Sequence, residues 1–147
     1  MFQGSNAINM DAKGRIAIPA KCREQLVLAS AGQIVITAHI RERCLCIYPI
    51  GEWRERVLPQ VQALPSVNKQ AARAQRLVIG YANEFTLDAA GRVLLPPTLR
   101  DFAGLEKELI IVGLGAKFEL WDKSAWDASL EGDEDDPMPE AMLSLNI

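Results

Sequence analysis

The chain has 147 residues, of which 49% are hydrophobic, and its formal net charge is −3. This is enough for one compact domain or two small ones, and no apolar run reaches the ~20 residues of a membrane span. The N-terminus lacks the layout of a signal peptide, and three cysteines are too few for a disulfide scaffold, so we expect a soluble, cytoplasmic protein with reduced thiols.

The first predicted elements are two strands that are separated by a tight turn and followed by a helix. Alternating apolar residues indicate strands at residues 7–10 and 16–18. In the turn between them, Asp11 can accept hydrogen bonds from the backbone, and Gly14 suits a positive φ. A proline then stands where a helix favours its first residue, which predicts a short helix at 19–26.

Two β-rich segments follow, and helical spacing then replaces the alternation. Residues 34–37 and 44–48 are rich in β-branched and aromatic side chains, which is typical of strands. Apolar residues in 53–64 recur at near-helical spacing, and Pro59 should kink or divide this helix. Residues 68–79 predict a second helix, so a helical pair should occupy the middle of the chain.

The second half of the chain repeats the motifs of the first. The nonapeptide that begins at Asp11 recurs 77 positions later at Asp88, and each copy is followed by an arginine, Arg23 or Arg100. A second pair of similar segments, later in each half, is separated by 73 positions instead. Because each copy of a repeat is one structural unit, both halves should contain the same strands, turn and helix.

The predicted fold class is therefore α+β, mainly β with short helices. We expect one unit at residues 5–52 and another at 81–124, joined by helices at 53–80 and followed by a C-terminal segment at 125–147. The predicted helix and strands of the second unit lie at residues 96–102, 109–112 and 117–121, and a tight turn joins the two strands.

The net charge of −3 hides two halves of opposite sign. Residues 1–80 hold eleven Lys and Arg against five acidic residues, a net charge of +6, while residues 81–147 hold five against fourteen, a net charge of −9. Six of these acidic residues lie in 131–140, which has no basic residue. Such a segment usually stays solvated and disordered, so we expect a basic first half and a disordered acidic tail.

These motifs resemble the MraZ family of bacterial transcriptional regulators. The resemblance rests on the opening Met-Phe-Gln-Gly, both Asp-x-x-Gly-Arg turns, Tyr-Pro before Trp53 and Gln-Arg-Leu before Gly80, and it covers about residues 1–130. It implies two AbrB-like swapped-hairpin units in a pseudo-two-fold, barrel-like body, and ring-like homo-oligomers larger than a dimer. It also implies sequence-specific binding of double-stranded DNA in the nucleoid, at short tandem repeats upstream of the division and cell-wall gene cluster and so at the gene's own promoter.

The resemblance ties the arginine of the turn to DNA contact, which implies this role for Arg15 and, by repeat position, for Arg92. The planar guanidinium of an arginine can pair with two acceptors at once on a phosphate or a guanine edge. Lys13, Lys21 and Arg23 are the candidates for additional contacts. The second turn has an alanine in place of Lys13, so the two turns should differ in charge.

A structural role for the same turns is the alternative interpretation. Asp11 with Arg15, and Asp88 with Arg92, could form ion pairs that stabilise each hairpin, while Gly14 and Gly91 allow the turns to close. The two interpretations are compatible, because an aspartate can also hold its arginine in a rotamer that is ready for DNA.

Other chemistries have weak support in the sequence. Cys44 and Cys46 alternate on one face of a strand, which is typical of a buried side, and with Cys22 and His39 they do not match the spacing of a structural zinc site. We therefore expect no metal and no cofactor. No metalloprotease, P-loop or nucleophile-elbow motif is present, so we expect no enzymatic activity. The three tryptophans should pack in the core or at an interface.

An AbrB-type protein-interaction module, such as an antitoxin, remains the alternative function. A tail with amphipathic, partner-binding character would favour it. Residues 138–147 contain several apolar side chains but little charge pattern, which gives this alternative weak support.

Overall fold

The computed structural model describes residues 1–132 and 135–147. Its first half contains β1 (Phe2–Asn9), β2 (Arg15–Ala17), α1 (Ala20–Ser30), β3 (Gln33–Ala38) and β4 (Leu45–Pro49). The middle is helical and consists of α2 (Ile50–Glu52), a π-helical segment (Trp53–Val57), α3 (Leu58–Gln62) and α4 (Lys69–Val78). The second half contains β5 (Asn83–Thr86), β6 (Arg92–Leu94), α5 (Pro97–Ala103), β7 (Glu108–Gly115), β8 (Phe118–Asp122), α6 (Lys123–Ser129) and α7 (Glu140–Leu143).

The two halves interleave in one six-stranded antiparallel sheet with the strand order β1-β7-β8-β4-β3-β5. The hairpin β3–β4 of the first half lies between β5 and β8 of the second half. The hairpin β7–β8 of the second half lies between β1 and β4 of the first half. Each half therefore completes the sheet of the other, which confirms the predicted α+β fold with swapped hairpins. The sheet is open, with β1 and β5 at its edges, and is not a closed barrel.

A separate two-stranded ribbon joins the halves a second time. β2 and β6 pair antiparallel, with Arg15 opposite Leu94, Ile16 opposite Val93 and Ala17 opposite Arg92. The two central side chains of the ribbon are buried in the main core, whereas the four flanking side chains are exposed. Because side chains alternate along a strand, this register places both arginines on the outer face of the ribbon.

Both faces of the six-stranded sheet are covered. On one face the ribbon, α1 and α5 enclose the main core, which includes Leu26, Leu99 and Phe118. On the other face, the helical middle of the chain buries a second cluster around Trp53, and α6 covers a third around Trp121. This double coverage explains why every residue of β4 is buried, and it assigns these two tryptophans to packing, as predicted.

Pro59 was predicted to kink or divide the first central helix, but the chain is helical without a break from Ile50 to Gln62, and only the type of helix changes, at Leu58. The backbone N–H of Leu58 donates to the carbonyl of Trp53, five residues earlier, and so closes a π-helical turn just before the proline. The predicted second helix corresponds to α4, which begins after Asn68. The side chain of Asn68 accepts hydrogen bonds from the backbone N–H groups of the next turn, at 2.9 and 3.1 Å, as an N-cap residue does.

The helix α1 is longer than the prediction of residues 19–26, because it ends only at Ser30. Ala31 has a left-handed conformation with a φ of 54°, and its N–H donates to carbonyls of the last turn. Val27 and Leu28 are exposed on this last turn. These two apolar side chains do not follow the inward-facing pattern of the helix. A prediction from the spacing of apolar residues alone therefore placed the end of the helix too early.

The C-terminal tail is exposed where the structure describes it. Asp133 and Glu134, which belong to the acidic run predicted to be disordered, lie outside the described residues. After them, α7 forms one short helical turn with exposed side chains. In the described ranges, the helices are too short or too polar to cross a lipid bilayer.

Candidate nucleic-acid interface

The first turn is closed by hydrogen bonds to one aspartate. Asp11 Oδ1 accepts from the backbone N–H groups of Lys13 and Arg15, at 3.0 and 2.9 Å, and Oδ2 accepts from Arg15 Nε at 2.7 Å. The backbone N–H of Arg15 and then its guanidinium hold the pKa of Asp11 below its usual value. Gly14 closes the turn with a φ of 90°, a conformation that a side chain would disfavour.

The second turn repeats this geometry. Asp88 Oδ1 accepts from the backbone N–H of Arg92 at 3.1 Å, and Oδ2 accepts from Nε and Nη2 of the same arginine, at 3.2 and 3.1 Å. Hydrogen bonds from Arg92 also lower the pKa of Asp88, the backbone N–H contributing most. Gly91 has a φ of 67°. The ion pairs of the structural interpretation are therefore present in both turns.

The ion pairs leave part of each guanidinium available. The side chains of Arg15 and Arg92 are 57% and 69% exposed. Within the part of the chain that the structure describes, both terminal nitrogens of Arg15 lack a hydrogen-bond acceptor. In Arg92, Nε and Nη2 are bonded to Asp88, and Nη1 lacks an acceptor among the same residues. Each aspartate thus holds its arginine from one side while the outer edge faces solvent, so the two interpretations of the turns are compatible.

The ribbon brings the two arginines to a common cleft. Arg15 and Arg92 line a surface cleft of about 750 Å³ together with Leu94 and Lys107. Lys107 is placed there because its carbonyl accepts from the backbone N–H of Met10, next to the first turn, at 2.8 Å. Three cations therefore surround the cleft, with Asp11 as its acidic group.

The other predicted contact residues lie beside these turns. Lys13 and Lys21 are exposed. Arg23 is half-buried, and its Nη1 donates to the carbonyl of Ala89 in the second turn at 2.8 Å. Arg23 thus belongs to the first repeat by sequence but contacts the turn of the second repeat.

A buried polar cluster on the other face of the sheet is the one group of described residues that could hold a metal. Ligand atoms of His39, Cys46 and Glu119 all lie within 4.8 Å of one another. However, Nδ1 of His39 accepts two backbone N–H groups of the following loop, at 3.0 and 2.9 Å. The ring proton must then be on Nε2, which faces Glu119 at 3.3 Å, so this nitrogen has no lone pair for a metal.

The same cluster is satisfied as an ion-pair network. Glu119 accepts from Trp121 Nε1 at 3.0 Å and lies 3.0 Å from Lys117 Nζ, which provides the cation. Burial alone would raise the pKa of Glu119, but hydrogen bonds from His39, Trp121 and Lys117 outweigh it and lower the pKa to about 2. Burial raises the pKa of Cys46 and Cys44, so both thiols stay protonated, as expected of core cysteines.

Comparison with known proteins places the chain in a family. The family model of the MraZ protein, described as antitoxin-like, matches residues 1–77 and again residues 78–142. The chain is 60% identical to the transcriptional regulator MraZ of Saccharophagus degradans, over 100% of both chains. It is 51% identical to that of Marinobacter nauticus, over 99% of this chain and 98% of the relative. It is also 48% identical to a transcriptional regulator MraZ of Pseudomonas fluorescens, over 87% of this chain and 84% of the relative.

The chain therefore belongs to the MraZ family. The two successive matches of the family model coincide with the two copies of the Asp-x-x-Gly-Arg turn. Because these relatives are named transcriptional regulators, the predicted class, a regulator and not an enzyme, is confirmed. The family also supports DNA as the partner of the chain.

Sequence reasoning missed two members of this site. Lys107 has no basic counterpart in the first repeat, so the repeat gave no signal for it. Arg100 did carry a signal, since it stands at the position of Arg23 in the second copy. The structure places Arg100 against Gly14 of the first turn.

Proposed function

We propose that the protein regulates transcription by binding specific duplex DNA through its two turns. Arg15 and Arg92 provide the principal contacts, while Lys13, Lys21, Arg23 and Lys107 contribute positive charge around them. The observation that carries this proposal is the β2–β6 ribbon, which presents both arginines on one exposed face with their outer edges unpaired in the described structure.

The dimensions of the ribbon suit a DNA groove. Arg15 and Arg92 lie on opposite strands and two positions apart along the ribbon, which is about 7 Å at the usual rise of a strand. The major groove of B-DNA is about 12 Å wide and admits a two-stranded β-ribbon. Both guanidinium groups can therefore contact the same stretch of a groove, on base edges or on the flanking phosphates.

The aspartates of the turns contribute by holding the arginines in place. Both carboxyl groups have lowered pKa values, so they are ionised at neutral pH and keep each guanidinium oriented before DNA arrives. A side chain that is already ordered loses less conformational entropy on binding. The carboxylates also repel phosphate, which favours contact with base edges by the outer side of each arginine.

The operator we propose consists of short tandem repeats upstream of the division and cell-wall gene cluster, at the gene's own promoter. Family membership supports this proposal, and so does the pseudo-two-fold duplication of the turn. We further propose a ring-like homo-oligomer larger than a dimer, in the cytoplasm and associated with the nucleoid. Among the described strands, β1 and β5 lie at the edges of the sheet, and the outer side of an edge strand can pair with a strand of another copy. An array of linked turns would raise the effective concentration of each successive contact.

Footprinting on the upstream DNA and titration against operator and scrambled duplexes test this proposal. Arg15→Ala should abolish the preference for the operator, and Arg92→Ala should weaken it less, because the first turn also has Lys13. Circular dichroism confirms that each variant is folded. If folded Arg15→Ala binds the operator like the parent, the first turn is a structural ion pair and the DNA contact lies elsewhere; if folded Arg92→Ala also binds like the parent, the proposal fails. Light scattering tests the assembly, and a constant mass near 16.2 kDa would contradict it.

The family model is described as antitoxin-like, and this description favours a second candidate function, that of a protein-interaction module. In that case the parent protein would show no preference between operator and scrambled duplexes. The same titration therefore separates the two functions.

A further inference from the structure

Each turn is covered by an arginine from the opposite half of the chain. Arg23 of α1 reaches the second turn, where its Nη1 donates to the carbonyl of Ala89 at 2.8 Å. Its aliphatic stem lies over Gly91 so closely that a Cβ on this glycine would be 2.1 Å from Arg23 Cδ and 2.6 Å from Cγ. The contact therefore requires glycine at this position for its size as well as for its positive φ.

The first turn has the mirrored arrangement. Arg100 of α5 places its guanidinium over Gly14, where a Cβ would lie 2.7 Å from Arg100 Nε. The same Nε donates to the carbonyl of Leu95 at 3.0 Å. The backbone of Leu95 in turn donates to the carbonyl of Gly14 at 2.9 Å. Arg100 thus fixes the strand end that holds the first turn.

The backbone bonds follow the same crossed pattern. The N–H of Ile18, after β2, donates to the carbonyl of Gly91 at 2.8 Å, as the N–H of Leu95 does to Gly14. Each turn is therefore closed locally by its own aspartate and held from outside by a strand end and a helix arginine of the other half. The crossed contacts come from the swapped topology, in which β2 and β6 pair across the pseudo-two-fold axis.

We infer that Arg23 and Arg100 are positioning residues that act crosswise: Arg23 orders the second turn and therefore Arg92, and Arg100 orders the first turn and therefore Arg15. This inference rests on the proposed function. It gives Arg100 a role, and it changes the role of Arg23 from a phosphate contact to a support of the opposite turn.

A positional role makes different demands on the side chain from a phosphate contact. A phosphate that is held by charge alone also accepts the ammonium group of lysine, which acts as a point charge, so lysine can replace arginine at such a contact. The contact of Arg23 with Ala89 uses a terminal guanidinium nitrogen, and Arg100 bonds Leu95 through Nε, which lysine lacks. Lysine keeps the charge of either residue but not this geometry.

Hydrogen exchange of the free protein at short labelling times tests the crossed support without DNA. Arg23→Ala should increase amide exchange in residues 88–92 while leaving 11–15 like the parent. Arg100→Ala should do the reverse. Arg73→Ala, which removes an exposed arginine of α4, is the matched control and should change neither segment. Faster exchange only in the variant's own repeat, or equally in both turns, would overturn the inference.

DNA titration of the lysine variants tests the consequence for binding. Arg23→Lys and Arg100→Lys should each weaken operator binding by about tenfold, a size typical of coupled neighbours. Affinity for scrambled duplex and the slope of log K against log salt should stay as in the parent, because the substitution keeps the charge of the protein and leaves the phosphate contacts of other residues in place. If Arg23→Lys binds like the parent while Arg23→Ala lowers the salt slope, Arg23 is a phosphate contact and the inference is wrong.

The two experiments also separate this inference from the proposed function. If Arg15→Ala abolishes operator binding but neither lysine variant weakens it, the DNA-binding role of the turns stands and the positioning role is overturned. If Arg15→Ala and Arg92→Ala both bind the operator normally, the proposed function fails, and the positioning role for DNA contact fails with it, whatever the exchange data show.

Discussion

Ile16 of β2 lies directly opposite Val93 of β6, and these two side chains, 2% and 4% exposed, are the buried centre of an otherwise exposed ribbon. One residue comes from each half of the chain. Their contact with the main core fixes the orientation of the ribbon, because a shift by one residue would turn both arginines inward. The same pair therefore joins the halves and positions the candidate DNA contacts.

Truncation of this pair should destabilise the fold. Ile16→Ala is expected to lower the free energy of unfolding by about 2–5 kcal/mol, since it leaves a cavity in the core. Urea unfolding measures this change. Val27→Ala, at a side chain that is 55% exposed, is the control and should stay within about 0.5 kcal/mol of the parent. Should Ile16→Ala prevent folding, Ile16→Val should lower the free energy of unfolding by about 0.5–1.5 kcal/mol. A loss smaller than that of Val27→Ala would show that the centre of the ribbon is not tightly packed.

Much of this fold could be predicted because its elements have strong local patterns. The predicted strands at 34–37 and 44–48 correspond to β3 and β4, and those of the second repeat to β7 and β8. The repeat also predicted the two turns. Alternation, turn residues and duplication are properties of neighbouring residues, so one sequence is sufficient to show them.

Other features depend on contacts between distant residues, and local patterns could not show them. β1 begins at Phe2, well before the predicted strand at 7–10, because its first residues pair with β7. Gly4, with a φ of 89°, interrupts the alternation there. At the site, Arg23 was assigned to the first repeat, while its contact partner belongs to the second. Only the pairing of β2 with β6 makes that contact possible.

Substitution of Gly91 should cost more than its backbone conformation alone explains. Gly91→Ala is compared with Gly104→Ala, because the two glycines have similar φ values of 67° and 59°, but no atom of the described residues lies within 4 Å of a Cβ placed on Gly104. The additional clash with Arg23 should make Gly91→Ala the more destabilising by about 1–3 kcal/mol in thermal unfolding. In an Arg23→Ala background this difference should disappear; if it persists, the clash is not with Arg23.

Glu119 should make stability depend on acid pH. Its pKa is lowered from 4.5 to about 2 in the folded protein. The ionised carboxylate therefore adds roughly 3 kcal/mol to the free energy of unfolding above pH 4.5. This contribution is lost as the pH falls from 4.5 towards 2. Glu119→Gln should destabilise the protein at pH 7 and reduce the loss of stability in this window. Urea unfolding between pH 2 and 7 measures both effects, with Glu108→Gln at an exposed position as control. Equal pH dependence of Glu119→Gln and the parent would exclude this role.

The charge difference between the turns should be visible in the salt dependence of DNA binding. Lys13→Ala should reduce the slope of log K against log salt, by about one for each phosphate that the lysine neutralises in the parent complex. Ala90→Lys, which gives the second turn the residue of the first, should steepen the slope if that turn also approaches the phosphates. Titrations at several salt concentrations measure both. An unchanged slope for Ala90→Lys would mean that the second turn lies away from the DNA backbone.

Removal of the acidic tail should tighten non-specific DNA binding. The run at 131–140 carries six acidic residues and no basic one, so it should repel DNA or compete weakly for the basic turns. Deletion of residues 131–147 should leave the unfolding transition unchanged, because the tail side chains that the structure describes are exposed. Binding of scrambled duplex should tighten at low salt and approach the parent at high salt, since charges more than about 8 Å apart are screened at physiological salt.

A control of full length, with Glu131, Asp135, Asp136 and Glu140 changed to their amides, should reproduce part of the effect if charge is the cause. Loss of cooperative unfolding in the deletion variant would instead show that the tail stabilises the fold.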